Sequence, residues 1–222
     1  MKKIEFITPD KFDSMVDEIL KNNGISLEWS DSFSGINIDE IIEFGYNLEI
    51  EPIDLTAITN NEDVLAAISA EKRKIYLNEA KMELFNRNEG LLRFTKAHEL
   101  GHWVLHVDKT SLDLGTELFG VEGINYICRN NKRDQREVQA DMFAARILMP
   151  KSLLTEAFIS LENYWGRFEW KQFFYIRDKF NVSKAALIIR LNELNLCYIP
   201  SENYQGKIYR DKAEYMGQGS LF

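Results

Sequence analysis

The chain has 222 residues, of which 45% are hydrophobic and 28% are charged, and its formal net charge is −8. This composition excludes a disordered chain, and no apolar stretch approaches the roughly 18 residues that a membrane-spanning helix needs. The acidic balance argues against a nucleic-acid-binding surface, because clustered lysine and arginine carry that affinity. The N-terminus lacks the apolar region of a signal peptide, and Cys128 and Cys197 form no metal-binding pattern. We therefore expect a cytoplasmic globular protein with reduced thiols.

The N-terminal part predicts two helices followed by strands. Thr8 is suited to cap the first helix, with Pro9 at its first position and Gly24 at its end. Residues 36–48 predict a second, shorter helix. Apolar runs with β-branched residues then occupy 48–59 and 64–78, and a polar break at 71–74 suits a hairpin turn. These segments predict a small antiparallel sheet.

Two strong helices follow, separated by a long connection. Helical periodicity extends from about Glu89 to His106, and it returns over residues 134–150, with Asp134 as a suitable N-cap. The intervening residues 107–133 contain glycines and few periodic apolar residues, which predicts a loop. Loops of this length in compact domains are often functional.

The C-terminal part is also predicted to be helical. Residues 168–196 indicate two helices separated near Asn181, with Ser183 capping the second, and the tail after Pro200 is expected to be loosely ordered. The fold class is therefore α+β, mostly helical, with a small antiparallel sheet preceding the helix at 89–106. We divide the chain into a core, residues 1–150, which includes the N-terminal helices, and a helical region, residues 151–222, packed on that core.

All three histidines of the chain lie in the segment KAHELGHWVLH. On an α-helix, His98 and His102 are four residues apart and share one face, so both can bind one metal ion. Glu99 lies beside that face, where a carboxylate can take a proton from water without binding the metal. Zinc hydrolases need this arrangement of two imidazoles, an open position and a nearby base. Gly101 is costly in a helix and suggests that another backbone or a substrate approaches there.

Two residues are candidates for the third metal ligand. Glu137 and Asp141 are four residues apart on a later helix, so Glu137 would bind zinc while Asp141 accepts a hydrogen bond from a ligand histidine. Alternatively, a sharp turn after the HExxH motif would bring Asp108 to the metal at the metzincin spacing. Metzincins have glycine at that turn, where this chain has Leu105, and we therefore favour Glu137.

Other candidates lie further from the chemistry. His106 is eight residues from His98, about 12 Å along a straight helix, which is too far for both to bind one ion. It is expected to interact with the C-terminal end of the helix dipole, or else to help bind substrate. Tyr126 and Arg129 in the long loop are weaker candidates for stabilising an oxyanion. The alternative is that both are ordinary loop side chains without a role in catalysis.

The two motif segments together resemble a known family. The stretches RFTKAHELGHWVLH, residues 93–106, and EVQADMFAARILMP, residues 137–150, are similar to the ImmA/IrrE metallopeptidases. The resemblance is weaker at KIYLN, residues 74–78, and at residues 181–194. It implies a zincin-like fold, Zn²⁺ bound by His98, His102 and Glu137, and Glu99 as the catalytic base.

The resemblance also implies a function. Members of that family are associated with site-specific cleavage of helix-turn-helix repressors in mobile elements and stress responses, so the expected partner is a protein substrate, a DNA-binding repressor, and not nucleic acid itself. We further expect the strand KIYLN, with Ile75 and Leu77, to hold the substrate as an added strand. A second, non-enzymatic hypothesis is a zinc-stabilised module that binds a regulator without cutting it. A third hypothesis is hydrolysis of another amide or of an ester.

Overall fold

A computed structural model describes residues 6–107, 126–129, 134–200 and 206–218, with the strand at 126–129 described by its backbone alone. Within these ranges the elements follow in the order α1 (Pro9–Asn22), α2 (Ile38–Glu40) continued by a π-helix (Ile41–Gly45), β1 (Glu49–Ile53), α3 (Leu55–Thr59), β2 (Val64–Ser69), β3 (Lys74–Asn78), a 3-10 turn (Glu79–Lys81), α4 (Met82–Arg87), α5 (Glu89–His106), β4 (Tyr126–Arg129), α6 (Gln135–Leu148), α7 (Lys151–Trp165), α8 (Trp170–Phe180), α9 (Lys184–Glu193) and α10 (Lys212–Gln218). The α+β class is confirmed.

The first helix forms as its sequence predicts. The side chain of Thr8 caps α1, and Pro9 stands at the first helical position, where its missing N–H costs no hydrogen bond. Phe12, Val16 and Leu20 are buried, at the helical spacing of four residues. The amphipathic face of α1 therefore contributes to the main core of the protein.

The sheet is mixed, whereas the sequence predicted an antiparallel one. Its four strands have the order β1-β3-β2-β4, with β2 antiparallel to β3 and to β4, and β1 parallel to β3. The strand predicted over 48–59 ends at Ile53, because Asp54 caps α3 and accepts a hydrogen bond from the Ala57 amide at 2.9 Å. The helix turns the chain before the hairpin begins. β1 can therefore pair with β3 in the parallel sense.

The position of β3 corrects the expectation that it holds a substrate strand. β3 lies between β1 and β2 and pairs with both, so its main-chain groups are already used in the sheet. Ile75 and Leu77 are buried core residues. The assignment of these two residues to substrate binding is wrong for that reason.

The region between the two strong helices is also not a single loop. Tyr126–Arg129 forms β4, which pairs with β2. The rest of the predicted loop, residues 108–125 and 130–133, lies outside the described residues.

The C-terminal region contains a helix that the sequence analysis did not assign. α7 starts directly after Pro150 and buries apolar side chains at helical spacing, among them Leu154 and Phe158. The two predicted helices around Asn181 correspond to α8 and α9, and Ser183 caps α9. The tail beyond Pro200 was expected to be loosely ordered, but its described part contains α10 and a bridge between Tyr198 and Tyr209.

Buried charges connect three distant parts of the fold. Arg190 of α9 donates to Asp13 of α1 at 2.7 Å and to Glu193 at 3.0 Å, while Arg146 of α6 pairs with Asp13 and Glu193. Both arginines are 1% exposed. The main hydrophobic cluster likewise contains residues from both sides of position 150. The division into a core and a C-terminal region stays a prediction. No helix in the described ranges has the length and hydrophobicity to span a membrane.

Candidate metal centre

The centre is built on α5. Asn88 caps this helix by accepting a hydrogen bond from the Leu91 amide at 3.1 Å. His98, Glu99 and His102 lie in its middle and are buried, with exposed fractions of 2%, 0% and 0%. Three polar side chains at such depth need polar partners or an ion, because burying them otherwise costs several kcal/mol.

The neighbouring helix α6 supplies Glu137. Asp134 caps α6, and one of its carboxylate oxygens accepts from the amides of Arg136 at 2.7 Å and Glu137 at 3.1 Å. The cap places Glu137 in the first turn, where the helix dipole favours a negative charge. Its carboxylate is directed towards the two histidines on α5.

Three side chains converge on one point. The Nε2 atoms of His98 and His102 are 3.0 Å apart. Nε2 of His98 lies 3.2 Å from Oε2 of Glu137, and Nε2 of His102 lies 3.2 Å from Oε1 of the same carboxylate. A tetrahedral zinc ion with bonds near 2.0–2.2 Å separates its ligand atoms by about 3.3–3.6 Å. The triangle formed by these three side chains therefore has nearly the spacing of ligands around one such ion, and its donor set fits the ion. In the described part of the chain, these three residues are the group that can hold a metal ion.

Gly101 allows α6 to come this close. A methyl group at Gly101 would lie 3.2 Å from the Cα and the carbonyl oxygen of Ala140 and 3.2 Å from Cβ of Phe143. The predicted reason for glycine at this position, the approach of another backbone, is confirmed. Ala140 is one turn after Glu137 on α6, so this contact sets the distance between the Glu137 backbone and the two histidines of α5.

Asp141 lies beside His98, the neighbour that the sequence predicted for it. Its Oδ1 is 2.9 Å from Nδ1 of His98. If Nδ1 carries the proton and donates to Asp141, Nε2 presents its lone pair to the centre of the triangle. The contact selects the tautomer that a metal requires.

His106 has a different environment from the one predicted. Its Nδ1 is 3.0 Å from Nδ1 of His102, and its Nε2 is 3.0 Å from Oε1 of Gln139. His106 lies at the end of α5, as the sequence predicted, but it is also connected to the centre by hydrogen bonds. Sequence reasoning missed Gln139, because helical spacing on α6 does not predict which residue meets His106 of α5.

The pKa values suit a divalent cation. Burial opposes ionisation of Glu137, but hydrogen bonds with His102 and His98 outweigh it and lower its pKa to about 2. Burial lowers the pKa of His102 and lowers the pKa of His106 to about 4. At neutral pH, His102 and His106 are therefore neutral and Glu137 is a carboxylate, and a neutral imidazole and a carboxylate are the forms that bind metal.

The remaining candidates do not join this cluster. Asp108 lies outside the described residues. Tyr126 and Arg129 belong to β4, whose side chains are likewise outside them, so their suggested contacts with an oxyanion stay predictions.

An HExxH helix and a glutamate from the next helix are the donor arrangement of metal-dependent hydrolases, the class that includes the metallopeptidases. The family profile described as IrrE N-terminal-like domain, a peptidase family, matches residues 60–192. The chain belongs to this family, and its predicted membership of the ImmA/IrrE group is confirmed. The matched range includes His98, Glu99, His102 and Glu137. No curated protein matches the chain significantly.

Proposed function

We propose that this metallopeptidase is a zinc-dependent endopeptidase, with the ion bound by Nε2 of His98, Nε2 of His102 and the carboxylate of Glu137. The observation that carries the proposal is the convergence of these three side chains: the two Nε2 atoms are 3.0 Å apart, and each lies 3.2 Å from a carboxylate oxygen of Glu137. Two imidazoles and one carboxylate are a donor set of catalytic zinc sites, which leave a fourth position for water or substrate. When bound, zinc supplies Lewis acidity, which polarises a carbonyl group and lowers the pKa of water.

Glu99 is the proposed general base. It precedes His102 by three residues and is fully buried. Electrostatic interactions of its carboxylate are stronger there than in water, because the effective dielectric constant is lower. Its carboxylate takes a proton from the attacking water and delivers it to the leaving amine of the cleaved peptide bond. Asp141 holds the ring of His98 by the contact at 2.9 Å.

The proposed substrate is a protein regulator, a helix-turn-helix repressor, and the proposed location is the cytoplasm. The support is the resemblance of residues 93–106 and 137–150 to peptidases of that specificity, together with the acidic chain, which favours a protein partner over nucleic acid.

The edge of the sheet is relevant to substrate binding. Among the described residues, β4 pairs with β2 alone, and α5 lies beside it. We infer that an extended substrate segment adds to β4, and not to β3 as the sequence suggested. Strand addition provides affinity through main-chain hydrogen bonds and leaves the cut position to be set by the side chains.

The metal is tested by elemental analysis after dialysis. We expect about one zinc per chain in the parent protein and in Asp108→Ala, and none in Glu137→Ala, whose fold is checked by circular dichroism. Retention of zinc by Glu137→Ala, or its absence from folded parent protein after zinc is added back, would contradict the proposed site.

Cleavage is tested by labelling new protein N-termini in cells that produce either the parent chain or Glu99→Gln. The substitution preserves shape and removes the base. A new N-terminus within a DNA-binding regulator, present only with the parent chain, supports the endopeptidase. Regulator control that persists with Glu99→Gln, without new N-termini, would instead support the non-cleaving interaction module.

A further inference from the structure

The two histidines of the metal centre are held in different ways. Nδ1 of His98 meets Asp141, a carboxylate whose side chain is 53% exposed. Nδ1 of His102 meets a second imidazole, that of His106, at 3.0 Å. His102 itself has no exposed surface, and Gln139 at the far end of the contact is 7% exposed.

The proton positions along this second path are determined by the metal. When Nε2 of His102 binds an ion, its Nδ1 carries the proton and must donate it. The only proton between the two Nδ1 atoms is then that of His102, so Nδ1 of His106 accepts. The proton of His106 therefore lies on Nε2, which is 3.0 Å from the amide oxygen of Gln139, an acceptor. Each donor in the series meets an acceptor.

We propose that His106 and Gln139 form a relay that orients His102 and fixes its tautomer, so that both are positioning residues for the metal ligand. The relay takes the place that a carboxylate occupies beside many metal-binding histidines. Its outer end is a neutral amide, which avoids the cost in folding free energy that an ionised group would bear at the 7% exposed position of Gln139. This inference rests on the metal site of the proposed function and is independent of what the enzyme cleaves.

The relay also connects the two helices. His102 and His106 are one turn apart on α5, whereas Gln139 belongs to α6. Gln139 and Asp141 stand on either side of Ala140, the residue against which Gly101 packs. One helix thus supplies Glu137, the Asp141 partner of His98 and the last residue of the relay that begins at His102.

The first test measures zinc affinity by competition with a chromophoric chelator at pH 8. We expect Gln139→Leu and His106→Phe each to weaken zinc binding by about 10- to 100-fold, the usual range for losing such a partner. Gln139→Glu retains the acceptor oxygen and should stay within about threefold of the parent. Gln135→Leu, the same change on an exposed position of α6 one turn earlier, is the control and should not alter affinity.

The double variant separates a relay from two independent effects. Because the two residues act in series, His106→Phe combined with Gln139→Leu should lose no more affinity than the weaker-binding single variant. Losses that multiply would contradict the relay. Parent-like affinity in Gln139→Leu would overturn it while leaving the zinc site intact, whereas absence of zinc from the parent would overturn the site and the relay together.

A spectroscopic measurement reports the tautomers directly. The chain has three histidines, so a ¹⁵N-histidine-labelled sample gives three imidazole patterns. With zinc bound, we expect two rings protonated at Nδ1 and one, His106, protonated at Nε2. Gln139→Leu should remove the Nε2 preference of His106 without unfolding the protein, as judged by its thermal transition. An Nδ1-protonated His106 in the zinc-loaded parent would overturn the proposal even if the affinity changes were as expected.

Discussion

The backbone of Ala140 lies within van der Waals contact of Gly101, so that a methyl group added to Gly101 would be 3.2 Å from the Ala140 Cα. That is tighter than ordinary carbon contacts, and the obstructing atoms belong to a helix backbone that cannot rotate away. The candidate metal centre depends on this contact, because His98 and His102 belong to one of the two helices that meet here and Glu137 to the other.

Gly101→Ala is therefore expected to weaken zinc binding. The alanine methyl separates α5 from α6 by a few tenths of an ångström, which moves Glu137 away from the two histidines, and we expect a loss of roughly tenfold or more in affinity. The gain of about 1 kcal/mol in helix propensity does not restore the geometry. Chelator competition measures the effect. Gly217→Ala in α10, where an added methyl meets no atom within 4 Å, should have parent affinity; equal affinity of both variants would contradict the prediction.

Glu99→Gln should separate chemistry from metal binding. The amide has the shape of the carboxylate but cannot accept the proton of water, and loss of such a base costs about 10²- to 10⁴-fold in rate. Zinc content should remain near that of the parent. Both quantities are measured on the same preparation, with cleavage followed on the substrate identified by its new N-terminus. A variant that keeps full activity would exclude Glu99 as the base.

The stability of the metal-free protein should decrease with acidification. The pKa of His106 is lowered from 6.5 to about 4 in the folded state. Between these pH values the unfolded chain binds more protons than the folded protein, so the free energy of unfolding decreases as the pH is lowered. The pKa of Glu137 is lowered from 4.5 to about 2, so its contribution is present above pH 4.5 and is lost as pH falls towards 2.

Urea unfolding at a series of pH values measures this dependence. The urea concentration at the unfolding midpoint should decrease as the pH is lowered from 6.5 to 4. His106→Gln should make this decrease smaller, because the substituted side chain does not titrate. An unchanged slope in His106→Gln would show that the histidine titrates alike in both states.

Asp13 is expected to be important for stability because two buried arginines pair with it. Asp13→Ala leaves Glu193 as the acidic partner that the described residues provide for Arg146 and Arg190, and breaking a buried ion pair in this way costs about 3–5 kcal/mol. Asp10→Ala on the same helix is the matched control, since its pair with Lys151 spans 3.6 Å at the surface and is worth at most about 1 kcal/mol. Urea unfolding of the two variants at neutral pH gives the comparison, and similar losses would contradict it.

The sequence predicts those parts of the site that helical spacing determines. His98 and His102 share a face because they are four residues apart, and Glu137 and Asp141 do so on α6 for the same reason. The structure brings these four side chains together. Gln139 could not be predicted, because its contact with His106 depends on how two helices cross.

The differences in the fold have equally local causes. Asp54 ends a predicted strand by capping a short helix, and from this follows the parallel pairing of β1 with β3. The sequence analysis assigned no helix to α7, although Leu154 and Phe158 have helical spacing, because α7 begins after Pro150 without the capping side chain that marks a helix start.

Because Glu137, Gln139 and Asp141 all belong to α6, sliding of this helix along α5 changes every polar distance of the centre at once. The centre therefore responds to helix displacement as a single unit, and a metal ion bound by residues of both helices would oppose that displacement. In hydrogen-exchange terms, amides of α5 and α6 should gain protection together when zinc binds.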